Sequence, residues 1–296
     1  MSASDSNKYS LENDFLRIAI HPLGAELRSV FSKKLNIEML WQAGAEWPKH
    51  APVLFPIVGA LKDNTIDHNG EGLTLSRHGF ARERFFELVQ QTETELWFGL
   101  SADAETLKIY PFEFTFLVKY ALIADNLSIT MEVINTGTET LYCSYGAHPA
   151  FRVPIFDDEF FEEYQLVFEP SEDRIKRWPL DANLISNVPV GIATPQGKLK
   201  LTHDLFAADA IVLKQPEFSS VSILHSDKGH GIRMHCQNWP FFGIWSAQNA
   251  NFVCLEPWQG IADTAASSGL LSEKEGILRL SPGQNHKSTY SLEVLG

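Results

Sequence analysis

Two titratable side chains stand directly before prolines, far apart in the chain. One is His148, in Tyr145-Gly-Ala-His148-Pro-Ala-Phe151; the other is Glu256, in Cys254-Leu-Glu256-Pro-Trp258. Each follows an apolar, strand-like run. Proline keeps the residue before it out of the helical region and cannot donate to a sheet ladder. Both side chains are therefore expected in extended backbone at strand ends. An imidazole and a carboxylate held there among aromatics suit acid–base chemistry on a small polar molecule. Alone, His148 reads as a structural histidine and Glu256 as a solvated carboxylate; the functional reading rests on their combination.

A third segment, Leu75-Ser-Arg77-His78-Gly79-Phe80-Ala81-Arg82, offers a second imidazole and two guanidinium groups within six residues. Gly79 permits close backbone approach or a positive φ. By itself this reads equally as a salt-bridged surface loop. His225, His230 and His235 recur every five residues around a hairpin. Metal ligands must converge on one point, and the shoulders and tip of a hairpin are expected on different sides, so a solvated hairpin is the expectation and no metal site is assigned. Asp204 and Asp209 precede an apolar run, as turn or cap residues or, for one of them, as a partner for a sugar hydroxyl. No phosphate-binding loop, dinucleotide fingerprint, Gly-x-Ser-x-Gly elbow or Cys-x-x-Cys pair is present.

The elements that must position these groups are strands. Leu127, Ile129, Met131 and Val133 alternate with Ser, Thr and Glu, the half-buried strand pattern. The run 112–120 precedes them, joined by a turn at 124–126. A second hairpin spans 221–235, and further strands are expected at 15–20, 241–245, 251–255, 277–280 and 288–295. Pro56 marks the apolar stretch 52–59 as an edge strand or rim. One short helix is expected within 262–276 and a helical turn or two at 181–187. Many strands with turn signals between them indicate an all-β fold, a large antiparallel sandwich or barrel with few short helices. No linker or repeat divides the chain, so residues 1–296 are read as a single domain.

Of 296 residues, 44% are hydrophobic and 21% charged, as in globular proteins. The formal net charge of -13 disfavours nucleic acid and anionic membranes as partners. Cys143, Cys236 and Cys254 all lie in apolar runs without framework spacing, as expected of buried thiols in a reducing compartment. The first eight residues lack the apolar stretch of a secretory signal, and no run is long enough to span a bilayer. A cytoplasmic location follows as the expectation, with a monomer or homodimer as the assembly.

Taken in order, these segments resemble the aldose 1-epimerase (galactose mutarotase-like) family, in its bacterial aldose epimerase-like branch. The resemblance runs through Gly24-Ala-Glu-Leu27, Leu40-Trp41, Pro52-Val-Leu-Phe-Pro-Ile-Val-Gly59, His78-Gly-Phe-Ala-Arg82, Gly146-Ala-His-Pro-Ala-Phe151, Phe242-Gly-Ile-Trp245 and Leu255-Glu-Pro-Trp258. It implies a large β-sandwich, the galactose mutarotase-like supersandwich, with sugar bound in an open cleft on one sheet. It also implies general acid His148, general base Glu256, substrate-binding His78, and a hydroxyl-binding Asp209 with Asp204 as fallback. The galactose mutarotases carry an arginine shortly after the position of Gly59; here Lys62 follows and is a candidate substrate-binding substitute, without the planar fork of donors. Arg77 or Arg82 are the candidates to replace that guanidinium. Trp245, Trp258 and Phe80 are candidates to stack on a sugar face or to fill the core.

The implied chemistry is mutarotation. A base takes the proton of the anomeric hydroxyl while an acid protonates the ring oxygen, and the roles reverse on closure. The reference pKa values, near 4.3 for Glu and 6.5 for His, suit these roles. Neither step requires a metal or organic cofactor. An imidazole-to-carboxylate separation of about 6–8 Å across an open cleft is expected from hydrogen-bond reach on each side. The substrate is a sugar or a sugar phosphate. The two alternatives are a hexose-6-phosphate mutarotase, which shares the His-Gly-Phe-Ala-Arg type of segment, and a non-catalytic carbohydrate-binding or regulatory protein.

Overall fold

The computed structural model describes residues 8–296; the first seven, where the absence of a secretory signal was read, lie outside the described residues. The alternating segments form the largest sheet. Phe114–Ile123 and Asn126–Asn135 pair antiparallel around a tight turn, with Phe116 opposite Val133 and Val118 opposite Met131. Every second residue of this hairpin is buried, as the period of two requires. Nine strands complete the sheet in the order Lys198–Lys200, Tyr164–Glu169, Ser220–His225, Gly231–His235, Asn285–Leu295, Asn126–Asn135, Phe114–Ile123, Glu95–Ser101 and Glu87–Gln91.

A smaller sheet faces it, ordered Ile211–Lys214, Phe241–Trp245, Phe252–Gln259, Tyr145–Ala147 and Val53–Leu54, with Ala150–Arg152 also paired to Phe252–Gln259. The strand at 53–54 lies at the sheet edge, as Pro56 suggested. Phe55 emerges from it and its ring sits 4.7 Å from those of both Phe114 and Phe116 on the large sheet. Tyr145 of the small sheet donates to or accepts from His286 across the same interface. The result is an antiparallel β-sandwich whose main apolar cluster runs from Leu11 to Leu292. Each large side chain buried there contributes roughly 1.5–3 kcal/mol.

Two local expectations fail. The segment 262–276 holds only the 3-10 turn Leu271–Glu273, and 181–187 is not helical. Leu180–Asp181 pairs with Leu184–Ile185 instead, because Ala182 and Asn183 both adopt positive φ, the backbone of a two-residue hairpin turn. One α-helix went unread: Ala104–Ile109, where Asp103 caps the N–H groups of Glu105 and Thr106, and the Thr106 hydroxyl accepts from Asp103 N–H in return. Among the described residues, no helix is long and apolar enough to cross a membrane. The three cysteines are free and buried.

Candidate functional site

Glu256 is not at a strand end. It lies inside Phe252–Gln259, a strand buried along its whole length. On one side this strand pairs continuously with Phe241–Trp245. On the other, Ala150–Arg152 pairs with its first half and Tyr145–Gly146 with its second. His148 and Pro149 fill the break between those two partners. Leu255 N–H reaches Pro149 O at 3.2 Å. Pro257, two residues on, turns its nitrogen to the same side, opposite the break, where no ladder bond is required. The two prolines thus mark one interruption seen from both strands, and it brings His148 and Glu256 face to face.

The His148 Nε2 atom stands 3.2 Å from Glu256 Oε2. Both line a cleft of about 620 Å³ in the small sheet. The separation expected from the sequence, about 6–8 Å, is too long. The ring and anomeric oxygens of a pyranose are bonded to one carbon, so two groups within hydrogen-bond reach of them stand close together. The Glu256 side chain is 2% exposed and that of His148 12%. The contact is close but not aligned: Glu256 Oε2 has no hydrogen-bond partner, nor does His148 Nδ1. Trp47 stacks on the His148 ring at 5.0 Å and Trp245 meets it edge-on at 5.7 Å.

Burial dominates the electrostatics. It pushes His148 down to about 3 and raises Glu256 well above the carboxylate range, with Asp209 raising it further and Arg77 opposing. The sequence reading expected an ionised Glu256 favouring a charged His148; desolvation outweighs that attraction and favours neutral imidazole beside neutral carboxyl.

His78 also lines the cleft, its ring 5.8 Å from that of His148. Its backbone has φ +68°, and burial followed by the charge on Arg77 keeps the imidazole neutral. Gly59 N–H donates to Nδ1 at 3.1 Å, and Arg77 Nε–H donates to Nε2 at 3.2 Å. A neutral imidazole has one acceptor nitrogen. The Gly59 and Arg77 donors therefore compete for that one lone pair, and their placement decides which tautomer His78 holds.

Arg77 is held by Asn183 Oδ1 at 2.9 Å, and Arg82 Nη2 donates to Arg77 O at 2.9 Å. Both arginines line the cleft, as do Asp209, Trp258, Trp245 and Lys49. Trp258 fits because Gly243, on the neighbouring strand opposite Glu256, has no side chain; a Cβ there would lie 2.5 Å from the indole. Asp209, at φ +69°, accepts from Ala210 N–H. Asp204 is exposed and does not line the cleft, so Asp209 is the residue at the site. Lys62 is also outside it, with its ammonium on Ser267 O. Phe80 is core, packed on Phe55 and Tyr110. Sequence reasoning missed Trp47 and Lys49; the Trp47-Pro-Lys49 run carries no periodic signal.

Among the described residues, His148, Cys254 and Glu256 bring a nitrogen, a sulfur and an oxygen within 4.8 Å of one another. Burial holds the Cys254 thiol well above its ordinary range, which works against thiolate ligation. The hairpin histidines diverge from expectation. His225 and His230 are buried, 5.1 Å apart, around Glu159, with His230 Nε2 at 3.1 Å from its carboxylate. His235 stands apart from them, against Glu293.

A family model described as aldose 1-epimerase matches residues 7–293. Protein LacX (chromosomal) of Lactococcus lactis subsp. lactis is 31% identical, over 96% of this chain and 98% of the relative. A solved galactose mutarotase related enzyme from Lactobacillus acidophilus superposes with a TM-score of 0.93 at 35% identity, covering 97% of each chain. A galactose mutarotase-like protein from Lactobacillus casei gives 0.89 at 29% identity, over 97% of this chain and all of the other.

Proposed function

The chain belongs to the aldose 1-epimerase family and is an isomerase of mutarotase type, and from that premise we propose that His148 and Glu256 interconvert the α and β anomers of an aldose by general acid–base catalysis. The 3.2 Å contact between His148 Nε2 and Glu256 Oε2 on the cleft wall carries this reading. Neutral carboxyl with neutral imidazole holds the same number of protons as carboxylate with imidazolium. The pair therefore reaches the carboxylate–imidazolium state with no net gain or loss of protons. With the proton on His148, Glu256 takes the proton of the anomeric hydroxyl as His148 gives its own to the ring oxygen. The C1–O5 bond breaks, C1 rotates, and closure on the other face returns both protons. Each positioned group contributes roughly 10²–10⁴ in rate.

His78, Arg77 and Asp209 are read as the groups that hold sugar oxygens, with Trp258 and Trp47 against its apolar face. The unbroken apolar cluster and a family match along nearly the whole chain support a single catalytic unit over residues 1–296.

One observation favours a phosphorylated aldose over a neutral one. In a chain of net charge -13, the cleft gathers Lys49, Arg77 and Arg82. Among the described residues neither Lys49 nor Arg77 has a carboxylate within ion-pair distance, and Arg82 Nε has only Glu83 at 3.6 Å. Polarimetry on freshly dissolved α-anomers of galactose, glucose and glucose 6-phosphate tests both levels. Acceleration by wild type and its loss in Glu256→Gln supports the epimerase; equal rates for wild type, variant and buffer on every sugar sink it. Sugar binding without acceleration would instead mark a carbohydrate-binding protein.

A further inference from the structure

Asp263 ties together the segments that surround the cleft, and it uses every polar atom to do so. Its backbone N–H donates to Ala60 O at 2.9 Å, and its carbonyl accepts from Ile185 N–H at 2.8 Å. Its Oδ2 accepts from Lys62 N–H at 3.0 Å. Its Oδ1 meets Lys274 Nζ at 2.8 Å, and the same ammonium donates to Ile261 O at 2.6 Å. The two side chains are only 4% and 3% exposed. A buried ion pair is weak evidence for stability, since removing two charges from water offsets most of their attraction. What this pair does fix is geometry.

Two of the tethered segments hold the substrate-facing groups. Next to Ala60 is Gly59, whose N–H donates to His78 Nδ1 and whose carbonyl accepts from His78 N–H. Gly59, at φ +75°, lies so close to Ala262 that a Cβ would sit 2.5 Å from it, so the loop and the segment before Asp263 share one surface. Two residues before Ile185 is Asn183, whose Oδ1 holds Arg77 Nη1. Neither link touches His148 or Glu256, which are set by the strand Phe252–Gln259 and its break.

We propose that Asp263 and Lys274 are positioning residues that fix the donors facing the His78 ring, and with them its tautomer and the orientation of Arg77, and so set sugar binding without taking part in proton transfer. This rests on the mutarotase reading for its kinetic consequence, and on geometry alone for its effect on His78. The test is the double variant Asp263→Asn/Lys274→Met, which removes both charges and leaves neither buried alone. Nitrogen-15 NMR of the His78 ring, assigned with His78→Gln, is expected to show one tautomer in the wild type and a mixture in the variant. KM for the best aldose should rise about tenfold or more, with kcat within about twofold of wild type. Tyr164→Phe, in the remote Glu159 network, serves as a control that lowers melting temperature without moving either readout. An unchanged His78 signal with unchanged KM overturns the proposal, as does a kcat loss that matches the KM rise. If the wild type accelerates no aldose, the functional reading falls, and the His78 signal still decides the positioning.

Discussion

His148 Nε2 and Glu256 Oε2 stand 3.2 Å apart across a break in strand pairing, and the Glu256 oxygen has no hydrogen bond. A buried carboxyl left unsatisfied costs roughly 1–3 kcal/mol and persists here beside an imidazole that is equally short of partners.

Removing either partner should cost rate and not fold. Glu256→Gln and His148→Gln are each expected to lower kcat by about 10²–10⁴, with KM nearly unchanged. Saturation-transfer NMR of the anomeric protons measures exchange at equilibrium. A loss of only twofold to threefold in both variants would take the pair out of the reaction.

The pair also gives stability a particular pH dependence. His148 and His78 are held below their ordinary range by burial, His148 to about 3. Below about pH 6.5 the unfolded chain binds these protons and the folded chain does not, for His148 down to about pH 3, so stability falls as pH falls. Glu256 has the opposite sign. Its raised value means the folded chain keeps a proton the unfolded chain releases, so its contribution is full below about pH 4.5 and is lost as pH rises. Urea unfolding across pH should show His148→Gln losing less stability than wild type on acidification, and Glu256→Gln losing less on the rise above pH 5. Parallel curves for all three proteins would contradict the shifts.

The cleft cations predict a charge-selective defect. Arg77→Ala and Lys49→Ala should raise KM for glucose 6-phosphate at least tenfold more than KM for glucose. The preference should weaken with added salt, since the rim is partly solvated. Equal effects on both sugars would assign these residues to the hydroxyls and not to a phosphate.

Phe55 joins the two sheets through Phe114 and Phe116 and is fully buried. Phe55→Ala should destabilise by about 3–5 kcal/mol, read as a shift in urea midpoint at constant slope. Its neighbour Pro56 precedes the loop that holds Gly59, so KM should suffer more than kcat in whatever fraction stays folded.

Much of the architecture was legible because a strand writes its burial into alternate residues. Leu127, Ile129, Met131 and Val133 announced their face, and the turn at 124–126 announced the hairpin. Where positive φ decided the outcome, the reading failed: Ala182 and Asn183 make a hairpin turn of what looked like a helical turn, and only Asn183 hints at it. The Asp103 cap shows the converse, a local signal that was present and passed over.

The sequence by itself determined which side chains to look for, with Lys62 the candidate that lies elsewhere. His148, Glu256, His78, Arg77, Arg82, Asp209 and Trp258 all line one cleft, and for His148, Glu256 and His78 the adjacent proline or glycine was the local signal. Tertiary structure alone decided their relations. It set His148 against Glu256 at contact distance, placed Asp209 inside the site and Asp204 outside, tied Lys62 to Ser267, and brought Trp47 and Lys49 in from a loop. Above all it decided protonation: the reference pKa values belong to solvated side chains, and only the fold determines how much water is removed from each.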